Sequence, residues 1–159
     1  MKTKIKKALE EATISTFEDT CFMYAVPELK EIQNNLKMEA AAEVRYQGDY
    51  TGKLLIETRG GLFSAIAANI LSNDIPTPRQ KRDALGEIAN IICGNIVTCL
   101  GRGEQGYKIE SPKFLKKDML GKEEQQGKPL SEITLNFNEG RADVKFFVDG
   151  YFDAKEKKK

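Results

Sequence analysis

The sequence predicts an α+β domain with a mainly antiparallel sheet packed with helices. Apolar side chains recur at helical spacing (about 3.6 residues) in some segments, and in others they alternate with polar side chains between turns. The resulting order is α-β-β-α-α-β-β-β. Helices are grouped here with pairs of strands and do not alternate with single strands, which is typical of an α+β architecture.

The first half of the chain contains a predicted helix, a hairpin and a second, apolar helix. Residues 3–24 have helical spacing, and this helix stops before Pro27. Alternation over 38–46, a Gly-Asp turn and a second strand over 53–58 predict a hairpin. After two glycines, residues 62–71 are apolar and rich in alanine, which predicts a short, mostly buried helix.

A long helix is predicted in the middle of the chain. Thr77 followed by Pro78 is a favourable helix start, because proline suits the first helical position. The apolar periodicity runs to about Leu100, and Gly101 can take the left-handed conformation that ends many helices.

The last third of the chain is predicted to be mostly strand. Residues 107–110 form a short strand, and the polar segment 116–130 forms a loop or a short helix. Alternation over 133–137 and 142–148, on either side of an Asn-Glu-Gly turn, predicts a hairpin.

Composition excludes several classes of protein. The chain has 159 residues, 40% of them hydrophobic, and we expect one domain over 1–159 with flexible termini at about 1–3 and 154–159. A net charge of +1 argues against nucleic-acid or membrane-surface binding through bulk electrostatics. The amino terminus has no apolar run after its lysines, and no segment approaches the ~18 apolar residues of a membrane span. We therefore expect a cytoplasmic protein.

The absence of histidine restricts the chemistry further. It excludes Ser-His-Asp and Cys-His nucleophiles and every site that needs imidazole. Cys21, Cys93 and Cys99 lie in predicted helices without C-x-x-C spacing, so we interpret them as reduced core thiols. An enzyme would have to use carboxylates, amides, lysine or an imported metal, and we expect no cofactor bound by this chain.

The long helix has two different sides. At about 100° per residue, a polar or small stripe faces away from an apolar stripe. The first contains Asp83, Glu87, Asn90, Gly94 and Gly101, and the second contains Leu85, Ile88, Ile92, Ile96 and Cys99. Asn90 and Gly94 lower helix propensity, glycine by about 1 kcal/mol relative to alanine. Because glycine leaves room for a neighbour, the pattern indicates a close approach to this stripe, with Val97 beside it as a candidate apolar contact.

Ordinary structural roles explain the same residues. Gly94 could let another element of the domain pack, and Asn90 and Asn95 could bond to loops. Asp83 suits the positive end of a helix, and Glu87 could pair with a surface cation. Spacing alone leaves these roles and a functional one open.

A carboxylate and an amide one turn apart support a limited chemistry. The amide of Asn90 can both accept from and donate to one water molecule, which fixes that water for in-line attack on a phosphoryl group. The carboxylate of Glu87 can bind a lysine of a partner. Neither role requires histidine.

Other motifs carry less weight. Residues 101–106 formally contain G-x-G-x-x-G, but they follow a helix and do not join a strand to a helix, which argues against a dinucleotide site. The chain has no Walker lysine motif. Asp143 and Asp149 in the last hairpin do not form a metal-ligand set.

The run Asp83-x3-Glu87-x2-Asn90 resembles the signature of the CheC/CheX/FliY phosphatases of bacterial chemotaxis. Gly94-Asn95 after it and Ser111-Pro112 downstream extend the resemblance. A single copy of the motif is similar to CheX, and the order of helices and hairpins agrees over most of the chain. The resemblance implies a CheC-like fold.

The resemblance also implies an activity. It is the removal of the phosphoryl group from the aspartate of a CheY-like response regulator, with Asn90 orienting the attacking water and Glu87 pairing with the regulator's lysine. Asp83, Gly94 and Val97 are the candidate partner-binding residues. Mg²⁺ would belong to the regulator, and family members of this kind form homodimers through strand pairing.

Three other interpretations stay open from the sequence. One is a non-catalytic module that binds a response regulator through the same face, and another is a structural component of a flagellar or sensory assembly. An unrelated small-molecule enzyme is the third, and the absence of a coherent nucleophile or metal set counts against it.

Overall fold

A computed structural model of the chain describes residues 2–27, 36–100, 106–115 and 127–150. Within these ranges three helices accompany a six-stranded antiparallel sheet, so the predicted α+β class is confirmed. The elements in chain order are α1 (Lys2–Cys21), β1 (Met38–Gln47), β2 (Thr51–Gly60), α2 (Leu62–Leu71), α3 (Pro78–Val97), a 3₁₀ turn (Thr98–Leu100), β3 (Lys108–Ile109), β4 (Lys113–Leu115), β5 (Ser131–Phe137) and β6 (Gly140–Val148).

Both predicted hairpins form, and they join side by side into one sheet. The strand order is β3-β1-β2-β6-β5, and every pair is antiparallel. The two short strands share the outer edge of β1: β3 pairs near Tyr46, and β4 pairs near Ala42. The polypeptide between α3 and β5 therefore returns along the edge of the sheet.

The three helices and one face of the sheet enclose the main hydrophobic core. The predicted apolar stripe of α3 lies inside it, and Leu85, Ile88 and Ile92 are fully buried. Burying each such side chain contributes about 1.5–3 kcal/mol relative to leaving it exposed. In β1, Tyr46 stacks on Phe146 at 5.2 Å between ring centroids and donates a hydrogen bond from its hydroxyl. Helix α3 packs on β1 and β2, at the centre of the sheet.

The opposite face of the sheet, called the back face here, carries charged residues that pair with one another. The ion pairs on it are Lys53–Glu43 at 2.9 Å, Lys145–Glu57 at 3.0 Å, Arg141–Asp143 at 3.0 Å and Arg59–Asp143 at 3.4 Å. Alternation along the strands explains this, since successive side chains point to opposite faces. Three of these pairs join neighbouring strands, and Arg141–Asp143 lies within β6.

The start of α3 matches the prediction. Thr77 accepts a hydrogen bond from the backbone N–H of Gln80, and the Gln80 side chain accepts one from the backbone N–H of Thr77. This reciprocal capping box, followed by proline, satisfies N–H groups that a helix start leaves without partners. The helix ends at Val97 and continues as the 3₁₀ turn, and Gly101 lies outside the described residues.

Several predicted boundaries differ from the structure. Helix α1 begins at Lys2, so positions 2 and 3 are helical, and it ends three residues earlier than predicted because Phe22 takes a positive φ of 55°. Strand β4 was not predicted, since three residues carry too little alternation to be recognised. Three of the predicted features lie outside the described ranges. They are most of the glycine motif (101–105), most of the polar loop (116–126) and the expected flexible tail (154–159).

We expected no segment to approach the apolar length of a membrane span, but one helix does so. By length and composition, Pro78–Leu100 is apolar enough to cross a membrane, and it is one such helix among the described residues. More than half of its most apolar stretch, 56%, is buried inside the domain. The central helix of a soluble domain has the same composition, so this property is weak evidence for a membrane span.

Candidate functional site

The outward side of α3 forms one wall of an open pocket of about 340 Å³. The predicted residues Asp83, Glu87 and Asn90 line it together. The wall facing them comes from the edge of the sheet, because β4 and the residue before it run alongside the helix. The remaining lining residues are Ala42, Arg82, Gly86, Pro112 and Phe114.

A glycine allows the two walls to approach closely, but it is Gly86 and not Gly94. A β-carbon added at Gly86 would lie 3.1 Å from Cβ of Pro112, which is tighter than ordinary packing. At Gly94 the nearest atom would be Cδ1 of Ile109 at 3.6 Å, an ordinary van der Waals distance. Within the domain, a close approach to α3 therefore occurs at Gly86, two turns before Gly94.

Asn90 is half-buried, and its carbonyl oxygen Oδ1 is buried without a hydrogen-bond partner among the described residues. Leaving such an atom unsatisfied costs about 1–3 kcal/mol, and few buried polar atoms in folded proteins stay so. A 180° turn about χ2 exchanges the oxygen with the NH₂ group, so the side chain can present either to the pocket. The amide is a polar group with unused hydrogen-bonding capacity at this site.

The two carboxylates of the stripe are both exposed, and they differ in their contacts. Glu87 has no hydrogen bond or ion pair with any residue of the described ranges. Asp83 lies 4.0 Å from Arg79, with both side chains more than 70% exposed. Pairs this exposed contribute little to stability, because solvent screens them. Both carboxylates are therefore accessible to a partner.

Val97 does not belong to this surface. It is 3% exposed and lies in the main hydrophobic core. Helix α3 contacts β3 at this end, so the outward stripe is open at Asp83, Glu87 and Asn90 and half-buried at Gly94. The prediction that Val97 offers an apolar contact to a partner is therefore wrong.

The two buried thiols, Cys21 and Cys93, are unsuited to nucleophilic chemistry. Burial raises the pKa of Cys93, on the inner side of α3, to about 12, and it raises the pKa of Cys21 to about 12 as well. A thiol with such a pKa is almost entirely protonated near neutral pH, and the thiolate is the reactive form. Among the described residues, no group of three Cys, Asp or Glu side chains could hold a metal ion. The open pocket thus offers carboxylates, an amide and one arginine.

Sequence reasoning missed Arg82, Gly86 and Phe114. Arg82 precedes the first acid of the motif, and no local pattern in the sequence marks it as part of a pocket. Phe114 lies in the unpredicted strand β4, and nothing local in the sequence places it opposite Arg82. Pro112 was noted only as part of the downstream motif, and the structure places it on the pocket wall.

The family profile described as chemotaxis phosphatase CheX matches residues 40–136, which is more than half of the chain. The chain belongs to the CheX family. The match includes most of β1, all of β2, all of α3 with its polar stripe, and β4. No curated protein sequence matches this CheX-family chain.

Solved structures share the fold of this CheX-family chain at low sequence identity. Chemotaxis protein CheX from Desulfovibrio desulfuricans is 19% identical, with a TM-score of 0.64 and coverage of 91% of this chain and 99% of the other. A CheC-like superfamily protein from a Shewanella species is 14% identical, with a TM-score of 0.62 and coverage of 91% and 96%. CheX in a CheX–CheY–BeF₃–Mg²⁺ complex from Borrelia burgdorferi is 18% identical, with a TM-score of 0.61 and coverage of 89% and 96%. The predicted CheC-like fold is confirmed.

Proposed function

We propose that this chain is a protein phosphatase that removes the phosphoryl group from the aspartate of a CheY-like response regulator in the cytoplasm. Membership of a family of chemotaxis phosphatases supports this proposal. So does the solved neighbour from Borrelia burgdorferi, whose CheX is in complex with CheY, BeF₃ and Mg²⁺. The observation that carries the proposal is the pocket in which Glu87 and Asn90 lie together with unused polar groups.

Asn90 is the proposed water-orienting residue. Its amide can accept a hydrogen bond from a water molecule and donate one to it, and its buried Oδ1 has no other partner among the described residues. Phosphoryl transfer depends mainly on in-line positioning and on stabilising the spread charge, so a fixed water accelerates it without a nucleophile from this chain. The Mg²⁺ that neutralises the phosphoryl oxygens belongs to the regulator in this scheme.

Glu87 is the proposed partner-binding carboxylate. It is exposed, and it has no ion pair in the described part of the chain, so a regulator lysine can reach it without displacing an internal cation. Asp83 and Gly94 lie one turn to either side of the Glu87–Asn90 pair on the same stripe and extend the proposed contact. Val97 is left out because it is buried.

The test is the decay of a phosphorylated CheY-type regulator with Mg²⁺, alone or with catalytic amounts of this protein. We expect acceleration by the wild type and a loss of about 100-fold or more in Asn90→Ala, because the interaction matters mainly in the transition state. Binding of that variant to a regulator carrying BeF₃⁻ should change less than about threefold.

The control variant is Asn95→Ala. Asn95 lies on the same helix and is exposed, and it does not line the pocket. Equal turnover by wild type and Asn90→Ala would place the chemistry elsewhere. Binding without acceleration for several regulators would instead favour the non-catalytic module, and self-association without either would favour an assembly component.

We further infer a homodimer formed through strand pairing. In the described ranges β5 pairs with β6 alone, so one edge of the sheet has unpaired backbone groups that a second copy can match. Light scattering should give twice the 17.8 kDa mass of one chain. A monomer at micromolar concentration would rule this arrangement out.

A further inference from the structure

Arg82 is a cation on the wall of the pocket that also contains Asp83, Glu87 and Asn90. Its backbone lies on α3, and its guanidinium carbon is 5.7 Å from the ring centroid of Phe114 on the facing wall. The arginine therefore bridges the two walls.

Arg82 lies over the ring of Phe114, which is itself packed against another ring. Phe114 stacks in turn on Phe63 of α2, with 5.7 Å between the ring centroids. A cation over an aromatic face is attracted by the ring without using its N–H groups in conventional hydrogen bonds. The guanidinium keeps five donors in a planar fork, which matches the oxygens of a carboxylate or a phosphoryl group.

No acid within the described ranges neutralises Arg82. Its neighbour Asp83 lies near Arg79 instead, and Glu87 has no ion pair there. Arg82 itself has no hydrogen bond or salt bridge with a described residue. An exposed arginine on a helix often pairs with an acid one turn away, so this arrangement leaves its donors available to a ligand.

Helix stability does not explain a cation at this place. Arg79, Lys81 and Arg82 all lie in the first turns of α3, and the first turn contains no acid. The positive end of the helix dipole disfavours cations there by a few tenths of a kcal/mol each. Arg79 is 86% exposed and has no aromatic contact in the described part of the chain. Of these cations, Arg82 is the one directed into the pocket.

We propose that Arg82 is a specificity-determining residue that binds oxyanions at the phosphorylated site of the partner. This rests on the proposed function, since that function brings an acidic, phosphorylated surface against the pocket. Glu87 would pair with the regulator's lysine, whereas Asp83 would repel the oxyanions around it, and Arg82 supplies the compensating positive charge beside them. The oxyanions are either phosphoryl oxygens or neighbouring carboxylates of the regulator.

The test compares Arg82→Gln with Arg82→Lys, and Arg79→Gln serves as the matched control. Arg79→Gln removes the same charge from the same helix outside the pocket. Affinity is measured at low salt against a CheY-type regulator with Mg²⁺, with and without BeF₃⁻. We expect Arg82→Gln to bind the loaded regulator about tenfold more weakly, Arg82→Lys to be intermediate, and Arg79→Gln to change less than about twofold. Added salt should weaken wild-type binding more steeply than that of Arg82→Gln.

The two sources of oxyanion give different results. If Arg82 contacts phosphoryl oxygens, Arg82→Gln loses affinity for the BeF₃⁻-loaded regulator and not for the free one. If it contacts carboxylates, both affinities fall by the same factor. Either result supports an oxyanion-binding role.

The proposal is overturned if Arg82→Gln binds like the wild type, or if Arg79→Gln loses as much affinity as Arg82→Gln. Thermal unfolding of each variant shows that the comparison is made between folded proteins. The phosphatase proposal fails in a different way. In that case the wild type binds the regulator but does not accelerate decay of its phosphoryl group, whereas failure of the Arg82 proposal shows in the affinities of the Arg82 and Arg79 variants.

Discussion

The charged residues on the back face of the sheet and those on the outward side of α3 are arranged in opposite ways. On the back face, Glu43 and Lys53 lie 2.9 Å apart and are almost fully buried. On α3, Glu87 and Arg82 have no salt bridge within the described ranges, and Asp83 has one weak, exposed contact. One region pairs its own charges, and the other leaves them accessible.

This difference separates charges that fold the chain from charges that are available to a partner. A buried charge without a partner loses solvation and destabilises the protein, so strands that bury charged residues must pair them. Exposed charges around a pocket have no such requirement. Unpaired charges around the pocket therefore lower the stability of the fold very little. The two regions should respond differently to substitution.

The largest expected effect on stability is on the back face. Glu43→Ala breaks the 2.9 Å salt bridge to the buried Lys53, which should lower the free energy of unfolding by about 3 kcal/mol. Denaturant unfolding measures this. The matched control is Asp149→Ala, whose pair with Arg45 is 3.2 Å long but nearly half-exposed, and it should cost less than about 1 kcal/mol. Equal losses in the two variants would contradict the distinction drawn from burial.

A smaller effect, on binding and not on folding, is expected at Glu87. Glu87→Gln keeps the size and polarity of the side chain and removes its charge, so unfolding should change by less than about 0.5 kcal/mol. Affinity for the regulator should fall about tenfold at low salt and less at high salt, because screening already weakens the pair there. Isothermal titration calorimetry at two salt concentrations measures it. Affinity that is insensitive to both charge and salt would exclude the lysine pair.

The smallest effect distinguishes two glycines of α3. Gly94→Ala has room for its new methyl group and should raise the stability of the helix by up to about 1 kcal/mol. Gly86→Ala should not raise the stability in the same way, because its methyl group would lie 3.1 Å from Pro112 and the pocket wall would have to move. Thermal unfolding compares the two, and turnover should fall in Gly86→Ala because the pocket wall moves. A stabilised Gly94→Ala that binds the regulator more weakly would support a close approach by the partner at that position.

Local sequence signals predicted the elements that local interactions determine. The capping residues at the start of α3, the apolar stripe through Ile88 and Ile92 and the two long hairpins all depend on neighbours a few residues away. The polar stripe with Asp83, Glu87 and Asn90 could be read from helical periodicity in the same way. Their functional roles came from the family resemblance and stay proposals.

Contacts between distant segments could not be predicted. Arg82 meets Phe114 across a gap of more than thirty positions, through a three-residue strand. Val97 lies near the polar stripe by helical angle, yet helix α3 contacts β3 at that end and the side chain is buried. Periodicity gives the direction of a side chain on its helix. It does not give the neighbour that covers it.

Helix α3 supplies both the centre of the core and the wall of the pocket. Backbone amides in its middle turns are protected from hydrogen exchange as long as Leu85, Ile88 and Ile92 stay packed. Exchange there requires the domain to open as a whole, since no part of the helix can detach without exposing the core. The geometry of Glu87 and Asn90 should therefore persist up to the temperature at which the entire protein unfolds, and heat inactivation should coincide with that transition.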